Sequence, residues 1–98
     1  MFYTYILQSK TDEELYVGYT NNLKKRFLEH NRGLNFSTKK GRPWILIYYE
    51  ASLNELDAKR REHYLKTSQG GRLLKRRLKE FMYEQKSKNL ISQNSTTG

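Results

Sequence analysis

The sequence predicts an α+β domain of order β-β-α-β-α-α, with the first two strands antiparallel neighbours and helices covering one or both faces of a small sheet. Three observations carry this. Two short β-branched and aromatic runs, FYTYILQS and LYVGYT, are separated only by the polar turn KTDEE. WILIYYE, further on, is the most continuous strand pattern in the chain, and the segments between and after the strands have helical apolar spacing with caps at their ends.

Ninety-eight residues suffice for one modest core but not two. Residues 2–9 and 15–20 read as a hairpin. Asn21 or Asn22 can cap a helix from about 22 to 32, because an asparagine side chain accepts from the free amides of a first turn, and Gly33 is placed to end it. NFSTKKGRPW, polar and basic with Gly41 and Pro43, reads as a loop before the third strand. Ser52 followed by Glu55 is a capping-box pattern, so a second helix is expected from about 53 to 67, broken by TSQGG. A third helix is expected from about Arg72, with Leu74, Leu78 and Phe81 on one stripe. Residues 1–83 thus form the domain, and residues 84–98 read as a disordered tail too polar to pack.

Nineteen lysines and arginines against ten acids leave a net charge of +9, the footprint of a protein that meets polyanions. Nucleic acid is the expected partner, with a place in a basic assembly as the plainer alternative. The absence of cysteine excludes disulfides and thiolate-bound metals and suits a reducing cytosol. No segment is apolar enough to span a bilayer and the N-terminus has no signal-peptide pattern, so the chain is expected in the cytoplasm and away from membranes.

Around the first helix, at about 100° per residue, Arg26 and His30 lie on one strip that flanks the apolar pair Leu23 and Phe27. A lone arginine there can simply pack its stem and extend its head to water. Here it comes paired with a histidine one turn on, facing two strands that carry Tyr3, Tyr5, Tyr16 and Tyr19. Gly18 weakens its strand unless a bulge or a close-approaching ligand backbone needs the room. On the second helix Glu62 borders the strip of Ala58 and Leu65, with Arg60, Arg61 and His63 around it. Such a carboxylate is either an ion-pair partner of those arginines or a ligand for a hard divalent cation, which tolerates few protein ligands when phosphate and water supply the rest.

These residues resemble the GIY-YIG nuclease domain. LYVG is similar to that family's YIG element at Tyr16, Val17 and Gly18, and YTYIL stands where the GIY element belongs, with Tyr5 eleven residues before Tyr16. The family's arginine falls at Arg26, its histidine or tyrosine position at His30, and AKRREHYLK looks like its glutamate helix with Glu62 as the acid. The GIY glycine and isoleucine are replaced by Tyr3 and Thr4. Most of residues 2–82 is covered, and the layout looks most like the small single-domain bacterial members related to the nuclease module of the bacterial excinuclease.

The resemblance implies a central three-stranded antiparallel sheet flanked by helices and a single-metal phosphodiester hydrolysis. In that reading Tyr16 takes the proton from water, Arg26 holds the scissile phosphate, Glu62 binds Mg²⁺ or Mn²⁺, and Tyr5 and His30 orient the water or shuttle the proton. A free tyrosine titrates near 10, so a base role asks for neighbouring positive charge or the metal. Tyr5 and Tyr16 can share a face of the hairpin only if paired residues have numbers summing to an odd value. Lys24, Lys39, Lys40, Arg42, Arg60 and Arg61 are the expected backbone-binding positions. The function expected is a metal-dependent endonuclease acting on DNA rather than RNA, including structured or single-stranded DNA in repair or recombination. A catalytically weak nucleic-acid-binding module of the same fold is the alternative, and a partner-binding protein whose tyrosines form an interface is a third class.

Overall fold

The computed structural model describes residues 1–96 and the side chains of residues 1–88. Strands β1 (Phe2–Ser9), β2 (Leu15–Thr20) and β3 (Trp44–Ser52) form one antiparallel sheet of order β2-β1-β3. Helix α1 (Leu23–Asn31) lies between β2 and β3; α2 (Glu55–Leu65), α3 (Ser68–Arg77) and α4 (Lys79–Thr96) follow. The α+β class and the three-stranded antiparallel sheet are as expected.

The central strand is buried from Thr4 to Ser9 because both sheet faces are covered. On one face Tyr5, Leu7 and Trp44 pack with Tyr16, Leu46 and the α1 residues Leu23 and Phe27. On the other, Ile6 and Val17 meet Leu65, Leu74 and Leu78. The period-two alternation of β1 and β2 therefore sorts their side chains between two small cores rather than between core and solvent. β3 carries a bulge: its pairing to β1 jumps from Tyr48 opposite Ile6 to Leu46 opposite Leu7, leaving Ile47 as the extra residue.

Helix α1 begins where Asn22 Oδ1 accepts from the Lys25 amide at 3.1 Å. It ends as expected at Gly33, whose φ of 77° is a left-handed conformation suited to glycine. The Gly33 and Leu34 amides close onto the carbonyls of His30 and Glu29, the two bonds of a Schellman cap.

The later helices depart from the sequence reading in three places. Ser52 does not cap α2. It is still paired to Phe2 as the last residue of β3, so the cap passes to Asn54, whose Oδ1 accepts from Leu56 and Asp57. TSQGG opens α3 rather than only ending α2: Thr67 caps it through the Gly70 amide, and a Cβ on Gly70 would run into the backbone of Tyr64 and Leu65. The single stripe expected over Leu74, Leu78 and Phe81 is divided at Leu78, which leaves helical geometry, and α4 restarts at Lys79. Residues 84–96 of the expected tail continue as helix in α4, while 97–98 and the side chains from 89 lie outside the described residues. Among the described residues no helix is long and apolar enough to cross a membrane.

Candidate active site

The pairings of β1 with β2, Tyr5 with Gly18 and Leu7 with Tyr16 among them, all sum to the same odd number. Tyr5 and Tyr16 therefore share the sheet face under α1, their ring centroids 6.4 Å apart. Gly18 is explained by this register. The Tyr5 ring lies across it, and a Cβ at Gly18 would overlap Tyr5 Cζ and its hydroxyl. The room that the glycine opens is filled by a tyrosine of the same hairpin, neither by a ligand nor by a bulge.

The Tyr5 hydroxyl is thereby aimed at α1, where it stands 2.7 Å from His30 Nε2. On the far side of the imidazole, Nδ1 is 2.7 Å from Thr38 Oγ1. Tyr5 is 1% exposed, His30 and Thr38 0%. Burial pushes the Tyr5 phenol up to about 12. Burial, and then the Arg26 guanidinium, push His30 down to about 4. Near neutrality both are uncharged, which fixes the protons: the phenol donates to Nε2, and Nδ1–H donates to the threonine oxygen. The threonine hydroxyl points on to the Asn35 carbonyl at 3.5 Å.

This hydrogen-bonded chain forms a floor beneath side chains that lie nearer solvent. The Arg26 guanidinium lies close enough to the Tyr5 hydroxyl to pull its pKa down against the effect of burial. Partial burial opposes the charge of Arg26, but its interaction with the Tyr5 hydroxyl and the fields of Tyr5, Tyr16 and Glu29 outweigh it, so Arg26 titrates above its usual range. Its ion pair with Glu29, at 3.9 Å, is long and leaves its donors free for another anion. Tyr16, half-buried, stands edge-on to the imidazole with centroids 5.1 Å apart and is backed by Trp44 at 6.3 Å. Trp44 is itself held by its indole N–H on the Thr38 carbonyl, 2.7 Å away.

Glu62 arrives from the opposite sheet face. Helix α2 packs over β1 and β2, and the Glu62 carboxylate comes close enough to raise Tyr5 further by its field. Its side chain is 17% exposed, with Oε2 on Lys66 Nζ at 2.6 Å. Arginines are not its partners. Arg61 forks onto Glu50 through Nε at 3.1 and 3.0 Å, and Arg60 pairs with Asp57. Among the described residues no cluster of three or more histidines, cysteines and acids is present, so the protein donors at Glu62 number fewer than three. That set fits a hard cation completing its shell with phosphate oxygens and water, because the Lys66 ammonium already marks the point as one where positive charge is favourable.

Tyr5, Tyr16, Arg26, His30 and Glu62 thus gather about β2, a strand paired only on its β1 side. Shallow grooves run along that free edge, one lined by Tyr19, Arg26, Glu29 and Glu55, the other by Tyr16, Lys66 and Lys75. At the first, the Tyr19 hydroxyl donates to Glu55 at 2.6 Å, which lifts Tyr19 to about 12. The expected backbone-binding cations are not gathered in the same way. Lys24 lies at the start of α1 beside Tyr3 and Leu46. Lys39, Lys40 and Arg42 sit together on the loop before β3. Arg60 and Arg61 are engaged with acids on α2 and β3. Sequence reasoning missed Thr38, Trp44 and Lys66. The last could have been found from its i+4 spacing to Glu62; the first two are brought in only by the fold.

A three-stranded antiparallel sheet flanked by helices is the fold of a GIY-YIG nuclease domain. The chain belongs to the GIY-YIG family: the family's catalytic-domain model matches residues 1–75. It is 48% identical over 67 residues to a UPF0213 protein of Clostridium perfringens, covering 67% of this chain and 71% of that one. A UPF0213 protein of Staphylococcus haemolyticus is 42% identical, over 66% of this chain and 79% of its own. One from Natronomonas pharaonis is 39% identical, over 66% and 76%. No solved structure was found to match. Family membership indicates a nuclease with nucleic acid as its substrate.

Proposed function

We propose that the chain is a divalent-metal-dependent endonuclease that hydrolyses phosphodiester bonds of DNA. The observation that carries this is the convergence of Tyr16, Arg26 and Glu62 about Tyr5, whose hydroxyl is bonded to the buried His30 beneath them. A phosphodiester runs along the free edge of β2 with its non-bridging oxygens on Arg26, whose guanidinium stands beside the Tyr5 hydroxyl before substrate arrives. Tyr16, as its phenolate, accepts a proton from the attacking water as the new oxygen–phosphorus bond forms, and the leaving oxygen departs with a proton taken from solvent water. Tyr5 and His30, uncharged and out of reach of solvent, act as positioning residues for Arg26 and Tyr16. Glu62 is the carboxylate that would hold Mg²⁺ or Mn²⁺, with the Lys66 side chain, half exposed, free to swing away. When bound, that ion would supply positive charge to the phosphate and the leaving oxygen. The cytoplasm is the compartment this reading assigns, and repair or recombination its setting.

One feature favours a second reading. The short Lys66–Glu62 pair puts a cation on the carboxylate from within the chain, as a nucleic-acid-binding module with little catalysis would. The test is incubation of the full chain with single-stranded, duplex and branched DNA and with RNA, with Mg²⁺ or Mn²⁺ and with a chelator. Cutting of DNA that needs the ion supports the endonuclease. Tight, salt-sensitive binding without cutting under any condition gives the binding module the lead.

A further inference from the structure

One surface is not used by this chemistry. The loop between α1 and β3 displays Phe36 with 96% of its area exposed, in a shallow pocket with Asn31, Lys39, Lys40, Arg42 and Pro43. From His30 to Tyr49 the sequence carries no acid and four lysines and arginines, so the field around this ring is cationic throughout. A bare aromatic ring is costly to keep in water, and here it stands on a stiff mount. Asn35 Oδ1 accepts from the Ser37 amide at 2.9 Å, turning the chain so that Phe36 projects. Asn31 is bonded in both directions to the Trp44 backbone, at 3.0 and 2.7 Å. Arg42 Nε is tied to the Lys39 carbonyl at 2.9 Å. Thr38, two residues beyond the ring, is the buried residue that receives His30.

From this arrangement we infer that Phe36 is a stacking platform for an unpaired base, with Lys39, Lys40 and Arg42 holding the adjoining phosphates, so that the preferred substrate has single-stranded nucleotides beside the bond that is cut. An exposed ring amid cations is the combination that binds single strands, since every base offers a π face and every nucleotide a charge. A paired base keeps both its faces in the stack and cannot use the ring. The inference rests on the nuclease reading, and it names the substrate structure that this reading leaves open. Thr38, two residues from the ring, bonds His30, which bonds Tyr5, so the loop that carries the platform is tied to the candidate site.

The test compares the affinities of the chain carrying Glu62→Ala, without added metal, for a labelled single-stranded oligonucleotide and for a blunt duplex of the same length. Phe36→Ala is expected to lower the ratio of single-strand to duplex affinity about 5- to 100-fold, the loss of roughly one base stack, and Phe36→Trp to restore it. Because the ring packs on nothing, truncation removes no core contact; the circular dichroism and melting midpoint of each variant check this. Lys39→Gln with Lys40→Gln is expected to flatten the salt dependence of single-strand binding by up to about two phosphate contacts. An unchanged ratio in Phe36→Ala overturns the inference, even if the unaltered chain cuts DNA. A ratio that falls while the unaltered chain cuts nothing upholds the platform and removes the nuclease reading alone.

Discussion

The hydroxyl of Tyr5 lies 2.7 Å from Nε2 of His30, joining the central strand to α1 inside a space that neither residue shares with water. In Tyr5→Phe the Nε2 lone pair is left buried with no donor. The expected cost is about 1–3 kcal/mol in unfolding free energy. Chemical denaturation measures it, and a change within about 0.3 kcal/mol would mean that the bond contributes nothing net.

Gly18→Ala strikes the same joint from the other side. The new methyl group overlaps the Tyr5 ring, which is closed in by its own packing and cannot tilt away from β2 without leaving His30. We expect destabilisation of about 1–3 kcal/mol and a displaced Tyr5 hydroxyl. The second effect is read in the His30 ring resonances by NMR, which should shift in the alanine variant and stay where they are if the strand simply bows outward.

The fold was largely legible because its signals are local: alternation in β1 and β2, Asn22 and Gly33 at the ends of α1, an unbroken apolar run in β3. Failures came where a local signal met a longer-range one. Ser52 has capping chemistry, but pairing with Phe2 keeps it in the sheet, and Asn54 takes the cap. Gly70 reads as a breaker, yet its missing side chain is what lets the first turn of α3 press on the end of α2. In the candidate site, family resemblance named five side chains, whereas the register set which tyrosine covers which glycine. Thr38 was illegible for a different reason: nothing in a polar loop marks which hydroxyl will close under a histidine eight residues earlier.

Burial of a neutral His30 makes stability depend on pH. Its pKa is near 6.5 in the unfolded chain and about 4 in the folded one, so between these values the unfolded state binds the extra proton. The contribution is complete above pH 6.5 and is lost as pH falls toward 4, with Arg26 on α1 opposing the added charge and Glu29 only partly relieving it. From pH 6.5 to 5 the loss should be roughly 2 kcal/mol. Denaturation midpoints across that range measure it, and a flat profile would show that His30 charges freely in the folded state.

Arg26→Lys keeps the charge and loses the planar fork that can bond Tyr5 and a phosphate together. On the proposed mechanism kcat falls by about 100- to 1,000-fold with a smaller change in KM, because the lost donor matters most where charge develops. Steady-state cleavage kinetics separate the two, and a loss confined to KM would make Arg26 a general phosphate contact.

The claim that Tyr16, Arg26 and Glu62 form one hydrolytic centre is tested most directly by single-turnover cleavage of a labelled DNA in Mg²⁺, with binding measured separately in calcium. Tyr16→Phe, Arg26→Ala and Glu62→Ala are each expected to cut at least about 100-fold more slowly than the unaltered chain while binding within roughly tenfold of it. Cleavage by Glu62→Ala at the unaltered rate, still dependent on the metal, would contradict the account, because the ion would then be held by something other than Glu62.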